Sequence, residues 1–324
     1  MSIALWILRV VLSAGLLTIP TSAVAQGYPS KPITFFVGFV AGGGTDYLAR
    51  VVGQRLSESL GQPVVVDNRP GAGSTIAADL AAKAAPDGHT ILMANIALSL
   101  SAGLYGKLPY NLLTDLAPVG QVAASPQVVT VNPSLPVKSI KELIALAKSK
   151  PGQINFGSAG NGSPAHLCTE LFKSMAGVDM VHVPYKGGAQ AVTDLLGGRI
   201  DLLMGGPAEI LPHVKSGKLR ALAVTTPDRS TMIPDLPTVS EAGVPGYEFV
   251  TWFAVFAPAR TPTTILERLY GAFSKIMQMP QVKDGISSQG IEPLVSPPKE
   301  FAAFLKADVA KWTKVIKDTG IQMN

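Results

Sequence analysis

Two glycine-rich turns carry the clearest chemical signal in the sequence. They span residues 41–46 and 157–163, and each follows a short apolar run of β-strand type, at 33–37 and at 154–156. Each turn leads into a pattern typical of a helix, so it exposes backbone N–H groups at a helix N-terminus, where the helix dipole also favours negative charge. Two such turns in one chain predict a site for a small anion held between two halves of the protein.

Other chemistries of glycine turns fit less well. Neither turn has clean dinucleotide-binding spacing, and neither ends in the Gly-Lys-Ser/Thr of a phosphate loop. A serine hydrolase needs a Gly-x-Ser-x-Gly elbow, whereas Ser158 in the second turn comes one place early. An enzyme that uses Ser158 or Ser163 with His166 is therefore a rival hypothesis, and the missing elbow argues against it.

The histidines and the cysteine do not indicate a metal site. Four histidines and the single Cys168 lack the spacing of metal ligands. One cysteine excludes an intramolecular disulfide, so this chain of 324 residues must be stabilised by its hydrophobic core. Cys168 itself falls in the apolar pattern of a predicted helix, which indicates a buried hydrophobic side chain.

Four polar residues near the turns have chemistry that a ligand could use. His166 falls in the first turn of a helix that Ser163 caps, and it either donates to a carboxylate or lies on the helix surface without a ligand contact. Asp46 would repel an anion, so we expect it to cap its helix or to order the turn. Tyr185 offers a rigid ring with a polar tip, and Lys186 is expected to be a solvated turn residue.

The N-terminus predicts export. Residues 3–19 are almost wholly apolar, and Ala23-Val24-Ala25 fits the small-x-small rule of a signal-peptide cleavage site. The apolar stretch is short for a membrane span and no basic flank follows it. We predict a signal peptide over residues 1–25, in preference to a membrane anchor.

The charge pattern excludes one class of partner. The formal net charge is +5, but the cations are scattered rather than aligned along one face. Nucleic-acid binding is therefore not expected.

Strand-like runs alternate with helical patterns almost throughout, which is typical of α/β layers with largely parallel sheets. The chain ends in helices after the second glycine unit has been completed by its own strands. A discontinuous arrangement explains this order. We predict one lobe from residues 26–124 and 251–324, and a second lobe from residues 125–250.

The sequence contains the motifs GGGTD at 42–46, VDNRPGAG at 66–73, APDG at 85–88, HVPYKGG at 182–188, GKLRALA at 217–223 and PTV-x-EAG at 237–243. With these motifs the chain resembles the TctC/Bug family, the extracytoplasmic substrate-binding receptors of tripartite tricarboxylate transporters. Together the motifs cover essentially all of the predicted mature chain, and their joint occurrence is highly specific.

The resemblance implies a two-lobed, Venus-flytrap periplasmic binding protein with the ligand cleft between its lobes, without catalysis or a cofactor. It implies that one carboxylate of a small organic ligand is held by both glycine loops through backbone amides. The partners would be the membrane permease of a tripartite transporter or, alternatively, a sensor kinase, and we expect a monomer. With the reasoning above, the candidate ligand-binding residues are Phe39, Ala41, Gly42, Gly43, Gly44, Thr45, Asp46, Ser158, Ala159, Gly160, Asn161, Gly162, Ser163, His166, Tyr185 and Gly205.

The chain also departs from the family pattern. Polar residues are lost at 97–102 and at 205–206, which the resemblance places on the specificity side of the cleft. We therefore expect a ligand with one carboxylate and a less polar remainder, rather than a citrate-like molecule.

Overall fold

The computed structural model of the protein describes residues 27–319 and residue 321. The signal peptide predicted for residues 1–25 lies outside this range. Within the described range, no helix combines the length and the apolar character that crossing a membrane requires.

The described residues form two mixed β-sheets with helices packed against them. The strands are β1 (Ile33–Val37), β2 (Val64–Asn68), β3 (Thr90–Asn95), β4 (Leu116–Ser125), β5 (Val128–Val131), β6 (Asn155–Ser158), β7 (Val181–Pro184), β8 (Leu202–Gly205), β9 (Arg220–Val224), β10 (Thr251–Pro258) and β11 (Glu292–Ser296). The helices are α1 (Gly44–Leu60), α2 (Thr75–Ala82), α3 (Ala97–Leu104), α4 (Ile140–Ser149), α5 (Pro164–Ala176), α6 (Gly188–Leu196), α7 (Pro207–Lys215), α8 (Val239–Ala242), α9 (Thr263–Gln278), α10 (Pro280–Ser288) and α11 (Pro298–Thr319), with a 3₁₀ turn at Ala72–Ser74.

Both sheets have a parallel part and an antiparallel part. The first sheet has the order β11-β4-β10-β3-β1-β2, in which β1 pairs in parallel with β2 and β3. The second has the order β7-β6-β8-β5-β9, in which β6 pairs in parallel with β7 and β8. Strands β10 and β5 lie antiparallel to their neighbours. The predicted α/β class and two-lobed fold are confirmed.

The first glycine unit forms because its apolar residues follow the two-residue period of a strand and then the 3.6-residue period of a helix. Alternate residues of β1 are fully buried, and so is the row Leu48, Val52 and Leu56 on α1, four residues apart. The helix ends at Gly61, whose φ of +70° is the left-handed conformation that favours glycine.

The second glycine unit begins its helix as predicted. Ser163 precedes α5 and its Oγ accepts a hydrogen bond from the His166 amide, while Pro164 occupies the first helical position. Helix α4 begins with half of a capping box. Ser139 accepts from the Glu142 amide, but the Glu142 carboxylate accepts from the amide of Lys138.

The chain passes between the sheets twice, once between β4 and β5 and once between β9 and β10. The two crossings lie side by side and are hydrogen-bonded together. Thr225 Oγ1 accepts from the Gln127 amide at 2.8 Å and donates to the carbonyl of Phe249 at 2.8 Å. Gln127 Nε2 also donates to Thr251 Oγ1 at 2.9 Å. The lobe boundaries at 124 and 251 stay a prediction about which residues move together.

The long C-terminal helix α11 packs against the second crossing. The buried Asp308 accepts hydrogen bonds from two indoles, Trp252 Nε1 at 2.9 Å and Trp312 Nε1 at 3.1 Å. The ring of Trp312 lies 5.3 Å from that of Phe249. The crossing is thus bounded on one side by a rigid aromatic cluster.

Candidate functional site

A cleft of about 1130 Å³ lies between the two sheets. Most of its lining comes from the segments that follow β1, β2, β3, β6, β7 and β8, and the crossings contribute Ser125, Gln127 and Thr251. In a parallel sheet the carboxyl ends of the strands meet at one edge, where ligands bind in open α/β folds. Both sheets direct that edge to the same cleft.

Most of the residues predicted for the site line this cleft, and four lie behind it. The lining ones are Phe39, Ala41, Gly42, Gly43, Gly44, Thr45, Ala159, Gly160, Asn161, Ser163, Tyr185 and Gly205. Asp46, Ser158, Gly162 and His166 are buried beneath the two turns. Direct ligand contact by any of these residues stays a prediction.

Asp46 organises the first turn from below. It is only 2 % exposed, and its carboxylate accepts from the Gly42 amide, Arg50 Nε and Asn68 Nδ2, each at 2.9 Å. Burial alone would raise the pKa of Asp46, but these hydrogen bonds hold it below its ordinary value. Gly42 itself has a φ of +92°, so a side chain there would be strained. Asp46 therefore orders the turn, one of the two roles expected for it.

The second turn is held by two histidines, the buried His166 and the half-buried His182. Ser158 Oγ hydrogen-bonds His182 Nε2 at 2.6 Å and accepts from the Gly160 amide at 3.0 Å. His166 Nδ1 accepts from the Gly162 amide at 3.2 Å. His166 thus supports the turn from inside, which is neither of the two roles left open for it by the sequence.

The two histidines stack on each other and on Phe156. The ring centroids of His166 and His182 are 4.0 Å apart, and those of His182 and Phe156 are 4.9 Å apart. Burial, then the neighbouring His182 and Lys173, lowers the pKa of His166 to about 3, and burial with Lys173 lowers the pKa of His182 to about 4. Both rings are therefore neutral near pH 7. His166 must be neutral in any case, because a protonated Nδ1 could not accept the hydrogen bond from Gly162.

These contacts limit which amides can hold an anion. The amides of Gly42, Gly160 and Gly162 donate to side chains of their own turns, and the Ser163 amide donates to the carbonyl of Gly160. The amides that begin α1, at 43–45, lie in the lining of the cleft and precede the first intrahelical hydrogen bond. The amides that begin α1 are therefore the candidate donors to an anion, which stays a prediction.

Tyr185 presents its ring to the cleft and uses its polar tip elsewhere. Its hydroxyl donates to Asp194 Oδ2 at 2.9 Å, and Asp194 also pairs with Arg199. Burial and Asp194 raise the pKa of Tyr185 to about 12. The hydroxyl is thus already bound to Asp194 in this conformation, and ligand contact by Tyr185 stays a prediction.

Sequence analysis missed two further helix N-termini in the cleft. The starts of α6 and α7, at 187–190 and 206–209, both line it. The sequence features that could have predicted these helix starts are Gly187-Gly188 after β7 and Gly206-Pro207 after β8. The missed polar side chains are Asn95, Tyr105, Ser125, Gln127, Gln190, Glu209, Thr251 and Gln289.

The polar losses at 97–102 do not bear on the ligand. This segment lies in α3, residues 97–101 are buried, and none of the six residues lines the cleft. The expectation that they form its specificity side is wrong. Only Gly205 and Gly206, the other site of polar loss, face the cleft.

Glu209 is the acidic residue of the cleft lining, and it is partly exposed. Its carboxyl lies directly over the Cα of Gly188, where any side chain on Gly188 would overlap with it. Oε1 is also 3.9 Å from the position that a Cβ on Gly43 would occupy, so the acid lies beside the N-cap of α1. No described residue gives this carboxyl a hydrogen bond or an ion pair, and burial raises its pKa to about 7.

The described residues contain no group of three or more potential ligands that could hold a metal ion.

A sequence model of the family described as "Tripartite tricarboxylate transporter family receptor" (TctC) matches residues 48–321. The chain belongs to this family. The predicted family membership is confirmed.

The chain is also similar to several known proteins over nearly their whole length. The receptor is 40 % identical to BugT of Bordetella pertussis over 301 residues, which are 92 % of each chain. The structure described as "R. palustris Rpa4515 with adipate" is 38 % identical, with a TM-score of 0.86 over 91 % of this chain and 99 % of that one. MatC from Rhodopseudomonas palustris, with bound malate, is 30 % identical, with a TM-score of 0.83 over 89 % and 100 %.

The rival hydrolase hypothesis is not supported. Receptors of this family are non-enzymatic periplasmic solute-binding proteins. Ser158 is fully buried and contacts His182 rather than His166, and Ser163 Oγ caps α5. Neither serine is placed as the nucleophile that the hypothesis requires.

The histidine stack should make the receptor sensitive to acid. Below about pH 6.5 the unfolded chain binds protons that the folded protein excludes until the pH reaches about 4, so the free energy of unfolding should fall across this window. His182→Gln keeps a polar group near Ser158 without an ionisable ring, so its urea-unfolding free energy should fall less with pH. His213→Gln, at the end of α7, is the matched control. An unchanged slope in His182→Gln would contradict the assignment.

Glu209 should destabilise the ligand-free receptor at alkaline pH. Its raised pKa means that the folded state keeps a proton that the unfolded chain loses, so stability falls as the pH rises from about 4.5 to about 7. Glu209→Gln stays neutral and should be more stable above pH 7, by up to about 3 kcal/mol at about 1.4 kcal/mol per pKa unit, and unchanged below pH 4.5. Urea unfolding measures this, with the exposed Glu267→Gln as control. A less stable Glu209→Gln at high pH would show that the carboxylate has a partner in the folded protein.

Proposed function

We propose that this protein is a monomeric periplasmic receptor that binds a small organic carboxylate between its lobes and delivers it to the permease of a tripartite transporter. One observation carries the proposal. The N-termini of α1, α5, α6 and α7 converge on one cleft, so partial positive charge from four helices meets there.

The anchor for the carboxylate is the start of α1. The amides of residues 43–45 supply donors there, and Asp46 holds the turn in place by accepting from Gly42. The start of α5 faces it across the cleft and adds its dipole. Relatives whose structures are described with adipate and with malate support a carboxylate as the ligand.

Delivery requires two states that a permease can distinguish. The lobes, residues 26–124 with 251–324 against residues 125–250, rotate about the paired crossings and close on the ligand. The present conformation supports closure, because a Cβ on Gly73 would be 3.1 Å from the carbonyl oxygen of Gly162. A Cβ on Gly187 would likewise be 2.6 Å from Val40 Cγ2.

Gly43→Val should abolish carboxylate binding. The φ of Gly43 is −82°, so valine fits the backbone, while its side chain enters the cleft at the proposed anchor. Calorimetry over monocarboxylates, dicarboxylates and aromatic acids measures this, with Gly106→Val, outside the cleft, as the control. Lys186→Ala should weaken binding far less, because helix dipoles rather than this side chain hold the anion. Loss of binding in Lys186→Ala with tolerance of Gly43→Val would place the anchor elsewhere.

Gly187→Ala should oppose closure. The φ of Gly187 is −178°, extended backbone that alanine adopts, yet its Cβ would press on Val40 of the other lobe. Overpacking of about 1–3 kcal/mol corresponds to a loss of affinity of about fivefold to more than a hundredfold. Small-angle scattering should also show less compaction with ligand. Gly197→Ala, at the far end of α6 with its Cβ 3.5 Å from Thr193 O, is the control. Equal compaction in both variants would contradict closure at this contact.

A further inference from the structure

The charges that line the cleft are unusual for an anion site. Lys186 and Glu209 are the charged residues of the described lining, and Lys186 is exposed in its turn. Glu209 is only partly exposed, so the more shielded of the two charges is the acid. The other titratable side chains of the lining are Tyr105 and Tyr185.

The acid lies close to the proposed carboxylate anchor. Glu209 is in the first turn of α7, and its carboxyl lies over Gly188 at the start of α6 and beside Gly43 at the start of α1. A ligand carboxylate at the amides of residues 43–45 would lie within a few ångströms of it. Two negative charges at such a distance in a partly desolvated cleft repel each other strongly.

A ligand can remove this repulsion in two ways. A positively charged nitrogen next to its carboxylate would lie between the two anions and pair with Glu209. Alternatively, a protonated Glu209 would donate a hydrogen bond to a second carboxylate. A protonated Glu209 would be a neutral hydrogen-bond donor that an amide side chain could replace, whereas pairing with a cation requires the carboxylate itself. The first arrangement therefore accounts better for an acid at this position.

We propose that Glu209 determines specificity, and that the ligand is a zwitterion with a positively charged nitrogen on or beside the carbon that bears its carboxylate. The Glu209 carboxylate pairs with that nitrogen while the N-terminus of α1 binds the carboxylate. This inference rests on the proposed function, because it takes the carboxylate anchor as given.

Matched probes test it by calorimetry. Pentanoate, 2-hydroxypentanoate, 2-aminopentanoate and glutarate share a carbon chain and differ in the group that would meet Glu209. Propionate and butyrate series with the same substituents, and succinate, repeat the comparison at shorter length. We expect the amino acids to bind most tightly and their affinity to rise with pH to a plateau as Glu209 ionises. Glu209→Gln should weaken them by about tenfold or more and should weaken the plain acids by less than about threefold, whereas Glu267→Gln should change neither.

The outcomes separate the two proposals. Tightest binding of glutarate or succinate, with proton uptake and affinity that falls as the pH rises, would assign Glu209 as a protonated donor and overturn this inference. Equal binding of plain and amino acids, unchanged in Glu209→Gln, would also overturn it while leaving the carboxylate receptor intact. If no probe binds, or if Gly43→Val binds the probes as well as the parent protein does, the proposed function fails and this inference with it.

Discussion

The direction of the parallel strands is the constraint on which the rest of the structure depends. β1 to β3 in one sheet and β6 to β8 in the other end at the same cleft. Each of these strands must be followed by a turn and a helix that begins there, so helix N-termini collect at the cleft whatever side chains surround them. The partial positive charge of the cleft is a consequence of topology, and it needs no buried lysine or arginine.

The two glycine turns are shaped by residues that the cleft does not contain. In the first turn the Gly42 amide donates to the Asp46 carboxylate, and in the second turn the Gly162 amide donates to His166 Nδ1. The two acceptors differ in charge, since one is a carboxylate and the other a neutral imidazole. In both cases a buried acceptor satisfies an amide that would otherwise face the cleft, and this restricts the amides that remain for a ligand.

The paired crossings couple the two sheets without merging them. Gln127, Thr225 and Thr251 join the crossings through side-chain and backbone hydrogen bonds rather than through a continuous β-ladder. Asp308 and its two indole donors lie beside the second crossing, where α11 packs. In the closure proposed above the lobes rotate about this connection, because the packed cores of the sheets cannot deform cheaply. The cleft lies next to it, since Ser125, Gln127 and Thr251 contribute to the lining.

The sequence by itself determined the features that neighbours in the chain control. These are the α/β alternation, the glycine turns, the start of α5 at Ser163 and the end of α1 at Gly61, because capping and backbone conformation depend on nearby residues. The family motifs added the two-lobed fold. Only the tertiary structure decided which side chains are removed from solvent next to one another. His166 meets His182, and Glu209 meets Gly43, across long stretches of chain. Desolvation and Coulomb energy depend on distance in space, so the perturbed histidines and the acid of the cleft left no local pattern from which they could be predicted.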